Sequence, residues 1–107
     1  LLAEATGLLE GVSQRSESAA VLVALGRAHL AVGAILEAQN SFTQALDLAS
    51  GGGELETQAQ ALIGIGLTER ALDDEEAAAE RFTEAAQLYV QVGDQRAADE
   101  ATRLLDG

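Results

Sequence analysis

The chain repeats itself. Laying residues 19–48 over residues 59–88, a shift of 40, gives nine identities: Ala19/Ala59, Leu22/Leu62, Gly26/Gly66, Ala31/Ala71, Ala38/Ala78, Phe42/Phe82, Thr43/Thr83, Ala45/Ala85 and Leu48/Leu88. Alanine matches carry little weight in a chain this rich in alanine. The phenylalanines carry more, because there are only two and both align without a gap. A fixed period of this size marks a solenoid, in which each unit buries its apolar face against its neighbours. The same shift reaches both ends: Leu2, Ala5 and Leu8 fall under Phe42, Ala45 and Leu48, and Leu105 falls under Ile65. It divides one domain, 1–107, into the second helix of a unit (1–12), two full units (13–52 and 53–92) and the first helix of another (93–107).

Each unit reads as a helical hairpin. There is no proline, and Ala, Leu, Glu and Gln favour helix throughout. The first helix is expected over 17–32, with Leu22, Leu25, His29 and Val32 on one face. The second is expected over 34–49, with Ala38, Phe42, Ala45 and Leu48 as its stripe. The next pair falls at 55–72 and 74–92. Gly33 and Asp73 take the turns within the hairpins, where left-handed dihedrals suit glycine and, less readily, aspartate. The segments SGGGE at 50–54 and VGD at 92–94 are the turns between units.

Candidate chemistry is sparse. His29 is the only histidine and there is no cysteine, so no typical zinc site, disulfide or thiolate nucleophile can form. The acidic run 73–76 opens a helix, where capping and the helix dipole favour carboxylates, and lacks the alternating ligands of a calcium loop. The glycines of 50–54 precede no lysine and make no phosphate loop. No nucleophile–base pair stands out, and the expectation is a non-enzyme with no metal and no cofactor.

Six arginines and no lysine face eighteen acidic residues, a net charge of −12. That argues against nucleic acid or an anionic membrane as the partner. No apolar run of about eighteen residues exists to span a bilayer. The lack of cysteine fits a reducing, cytoplasmic setting. The chain holds no methionine and opens inside an apolar helical pattern, which reads as part of a longer protein.

The pattern Leu25-Gly26, Ala38, Phe42, Ala45, Leu48, with Ile65-Gly66, Ala78, Phe82, Ala85 and Leu88 as its second copy, resembles the tetratricopeptide repeat. The usual period is about 34. The 40 seen here resembles the long-repeat branch found in spindle-orientation scaffolds, kinesin light chains and many bacterial signalling proteins, as does the joint QVGDQRAADEATRLL at 91–105. Departures are His29 and Glu69 at the usual aromatic, Asp73 at the inter-helix glycine and the missing closing proline. The resemblance implies an all-α, right-handed α-solenoid of about six helices. In it, Gly26 and Gly66 permit close helix approach, Phe42 and Phe82 fill the groove toward the next unit, and His29 fills an aromatic's slot.

The family's first helices line a concave face. Carried onto this chain, the inward positions are Ala20, Val23, Arg27 and Leu30, then Gln60, Ile63, Leu67 and Arg70, then Glu100 and Arg103. The candidate groove is therefore Val23, Arg27, Leu30, Ile63, Leu67, Arg70 and Arg103. Its implied partner is a protein or peptide bearing acidic groups, held within a larger scaffold or regulatory protein. The competing expectation is self-association, copies packing through apolar ends led by Leu1, Leu2, Leu8 and Leu9 and closed by Leu104 and Leu105.

Overall fold

Turns recur every twenty residues. Gly33, Gly53, Asp73 and Gly93 all have positive φ, between 65° and 80°. In the computed structural model, which describes residues 18–106, they separate five antiparallel helices. These are α1 (helical over 18–31), α2 (Ile35–Gly52), α3 (Leu55–Ala71), α4 (Glu75–Gln91) and α5 (Gln95–Arg103), followed by a 3-10 turn, Leu104–Asp106. The second helix expected at 1–12 lies outside the described residues.

Helices α1 to α4 close in the same way. The residue after each left-handed position returns its N–H to a carbonyl five residues back: Ala34 to His29, Glu54 to Ala49, Asp74 to Glu69 and Asp94 to Tyr89, at 2.8–2.9 Å. This is the Schellman closure, and it needs one left-handed residue and no more. Accordingly α2 runs three residues past the expected 49, through Ser50, Gly51 and Gly52, and SGGGE contracts to a turn at Gly53. Asp74 and Asp94 then cap α4 and α5, accepting from Ala77 N–H at 3.2 Å and Ala97 N–H at 3.0 Å. The acidic run at 73–76 thus starts a helix, as its sequence implied.

Asp73 is the one non-glycine among the four turns. Replacing it with glycine relieves the left-handed Cβ clash, against a more flexible unfolded chain. Asp73→Gly is expected to raise stability by up to about 1 kcal/mol, seen as a higher urea midpoint.

The core forms in two overlapping clusters. Val23, Ala38, Phe42, Ala45, Ala61 and Ile65 join α1, α2 and α3. Ala59, Leu62, Ala85, Tyr89, Ala98 and Ala101 join α3, α4 and α5. Helix α3 packs on both α2 and α4 and is buried on two faces. The expected face of α1 is corrected here: Leu25 is 43% exposed and Val32 is 80% exposed, whereas Ala19, Val23 and Gly26 are buried. Val32 sits at the hairpin end, as its counterpart Leu72 does. Leu25 corresponds to the buried Ile65, but no described helix lies on its side of α1 as α2 lies on α3.

Glycines set the spacing. A Cβ on Gly26 would come within 2.7 Å of the Phe42 ring, and a Cβ on Gly64 would press into the same ring. Phe42 therefore sits between α1 and α3. In the next unit a Cβ on Gly66 would reach 2.6 Å from the Phe82 ring, and the Arg70 guanidinium lies 4.9 Å over that ring.

Candidate functional site

Helices α1, α3 and α5 alternate with α2 and α4, and the first set lines a hollow of about 310 Å³. Arg27 reaches it from α1, and Gln60 and Ile63, one turn apart, from α3. Ala97, Glu100, Ala101 and Leu104 give it one face of α5 and the turn that follows. Tyr89, from the last turn of α4, completes the lining.

Tyr89 is the only tyrosine, and forty residues earlier the same place holds Ala49. It is largely buried among Ala59, Leu62 and Ala101. Burial pushes its phenol above the usual range; Glu56, Asp94 and Glu100 add to the rise, and Arg27 opposes it. The hollow thus combines an apolar floor, an aromatic, one cation from α1 and one carboxylate from α5. Glu100 also pairs with Arg96 along α5, at 3.6 Å.

The structure brings together part of the expected groove. Arg27 and Ile63 share the hollow with Gln60 and Glu100, both counted among the inward positions. Val23 does not join them: it is 2% exposed and packs in the first core. Leu30 is half-buried against that same core, and Leu67 is half-buried outside the hollow's lining. Arg103 is exposed in the last turn of α5. Arg70 is engaged internally. Its Nη2 donates to the Leu104 carbonyl, its Nε lies 3.2 Å from Glu75 Oε2, and its guanidinium covers Phe82. It braces α3 against the end of α5 rather than offering a free charge. The residues missed in sequence were Tyr89, Ala97, Ala101 and Leu104. For Tyr89 the signal was present, a large aromatic at the register position of an alanine.

Arg27 differs from its neighbours. Among the described residues, the ion pairs engage Arg70, Arg81 and Arg96, and none engages Arg27 or Arg103. On the opposite side, α2 and α4 bound a second hollow of about 410 Å³, where Leu46, Leu62 and Leu88 meet Asp47 and Glu84 and no cation.

A half-buried carboxylate bridges the second hairpin. Glu69 takes the place of His29 in the repeat. Arg81 Nε stands 3.4 Å from its Oε1, within ion-pair reach but without hydrogen-bond alignment. Burial raises the Glu69 pKa above its ordinary value, and attraction to Arg81 only partly offsets this. A raised folded-state pKa favours the fold below the unfolded value and is a cost once pH exceeds the folded value. Glu69→Gln is therefore expected to raise the urea midpoint at pH 7 and to leave it nearly unchanged at pH 4, because Arg81 keeps Glu84 at 2.8 Å.

A family model of the tetratricopeptide repeat matches residues 17–91. The chain belongs to the tetratricopeptide repeat family. No curated protein and no solved structure compared with it matches significantly. Tetratricopeptide repeats generally mediate protein–protein interaction and are non-catalytic modules. Among the described residues no cluster of His, Cys, Asp or Glu is set to hold a metal, and no helix is long and apolar enough to cross a membrane.

Proposed function

We propose that this tetratricopeptide segment captures an extended or helical protein segment in the hollow between α1, α3 and α5, as part of a larger scaffold or regulatory protein. The observation that carries this reading is the convergence of Arg27, Gln60, Ile63, Tyr89 and Glu100 from four helices on one concavity. An apolar floor with a few placed polar groups is the usual form of a recognition site. Arg27 supplies a bidentate donor for a carboxylate on the partner. Tyr89 supplies a rigid aromatic wall of the kind that dominates interface energetics. Net charge of −12 repels acidic partners at long range, so a single carboxylate beside an apolar side chain suits this site better than an acidic run.

The test uses a phage-displayed library of random 15-residue peptides panned against the chain. Enriched peptides are expected to carry Asp, Glu or a free C-terminus next to an apolar residue. Arg27→Glu should weaken them by roughly 10–100-fold, the size of a charged hydrogen bond lost and reversed. Helicity should stay unchanged, since Arg27 is exposed. Undiminished affinity would remove Arg27 from the site.

Self-association through both ends finds less support. Leu104 faces the hollow and Leu105 is 39% exposed, while the outer positions Asp99 and Thr102 of α5 and Asp106 of the turn after it are all exposed. Among the described residues, polar side chains thus predominate on the outer side of α5 and the turn that follows it.

A further inference from the structure

The hollow carries its charges on opposite walls. Arg27 enters from α1 and Glu100 from α5, while Gln60 belongs to α3, the helix between them. Gln60 and Glu100 hold one position of the repeat, forty residues apart, where α1 has Ala20. Along the array the side chain there changes from a methyl group to an amide to a carboxylate. Arg27 and Glu100 do not pair with each other. Among the described residues no ion pair engages Arg27, and Glu100 meets only Arg96 of its own helix, with both side chains largely exposed. A surface pair of that kind is worth little and yields readily to a partner. Arg96 and Arg103 flank Glu100 along α5, but neither lines the hollow.

Tyr89 marks the α5 side, where it packs with Ala98 and Ala101. Three carboxylates, Glu56, Asp94 and Glu100, act on its phenol against one guanidinium, that of Arg27. The wall near α5 is therefore negative and the wall near α1 positive. Resting on the reading of this hollow as the recognition site, we propose that its occupant is a segment of mixed charge, with a carboxylate seated at Arg27 and a lysine or arginine seated against Glu100. The hollow then fixes the direction in which the segment lies. A segment laid the other way brings like charges together at both walls, which discriminates more strongly than the loss of either contact. Gln60, donor and acceptor at once, suits the backbone that joins the two charges. The field of the whole chain favours the same occupant. A net charge of −12 repels a segment that carries carboxylates alone, and a basic residue offsets that repulsion.

The test pans a library of random 15-residue peptides against the chain, Glu100→Lys and Arg27→Glu in parallel. Both residues are exposed, so circular dichroism should find the variants as helical as the parent. Peptides enriched on the parent are expected to carry a basic residue at one spacing and in one order from their carboxylate. On Glu100→Lys the basic residue should be lost and the carboxylate kept; on Arg27→Glu the reverse should hold. For one parent-selected peptide, replacing its basic residue with alanine should weaken binding to the parent about fivefold. The same replacement should change binding to Glu100→Gln little, because the two partners act as a coupled pair. Carboxylate-bearing peptides without a basic residue at a fixed spacing would overturn this inference and leave the assignment of Arg27 intact. An alanine replacement that costs as much with Glu100→Gln as with the parent would also overturn it, since the attraction would then belong to the chain's overall charge. Peptides without a carboxylate that bind Arg27→Glu undiminished would overturn both readings.

Discussion

Replacing Phe42 with alanine is expected to lower stability by about 3–5 kcal/mol, the usual loss when a large buried side chain leaves a cavity. The ring is 1% exposed and is the only aromatic of the first core, where most of its companions are alanine, valine or isoleucine. Its position makes the void hard to close. Gly26 of α1 and Gly64 of α3 both abut the ring, so the walls nearest it are bare backbone with no side chain to swing inward. Closing the gap requires moving whole helices. A domain of this size has only about 5–15 kcal/mol in total, so much of the cooperative transition should disappear. Urea unfolding followed by circular dichroism at 222 nm measures the change. A loss no larger than that of the half-buried Leu48→Ala would contradict the central place given to Phe42.

Gly64→Ala is expected to destabilise by about 1–3 kcal/mol, although local propensity favours it. Alanine is preferred to glycine inside a helix by about 1 kcal/mol. Here the added Cβ would press into the Phe42 ring, and Gly26 behind that ring leaves it no room to retreat. The control is Gly51→Ala in α2, where no atom lies within 4 Å of the added Cβ and the propensity gain should appear unopposed. Adding Phe42→Leu to Gly64→Ala should recover part of the loss, because the smaller side chain admits the methyl group. Thermal unfolding of these variants separates packing from propensity, since the two effects have opposite signs at Gly64.

The hairpins were legible because their period is carried by residues with few substitutes. Glycine and aspartate mark the left-handed turns, and two phenylalanines in one register fix the units. The tetratricopeptide assignment rested on those same residues and holds over 17–91. The inner face of α1 was less legible. Leu22 packs against the core as expected, but Leu25 and Val32 are as apolar as Val23, and periodicity alone does not say which side meets a neighbour; the choice falls to Ala19, Val23 and Gly26 because α2 and α3 approach there. The groove was readable in part, through Arg27 and Ile63. Arg70 occupies an inward position by sequence but finds a carbonyl, a carboxylate and an aromatic ring within its own chain. Those partners come from α4 and from the turn after α5, and only the folded array brings them together. Tyr89 lies on a second helix, outside the first-helix positions that the repeat pattern singles out, yet its length carries it to the hollow.

The central claim is that the side lined by α1, α3 and α5 is the recognition surface. Amide chemical-shift mapping of the chain with a library-selected peptide tests it directly. The shifts are expected to centre on Arg27, Gln60, Ile63, Tyr89, Glu100 and Ala101. Shifts centred instead on Asp47, Ser50, Glu84, Gln87 and Gln91, the hollow between α2 and α4, would contradict it.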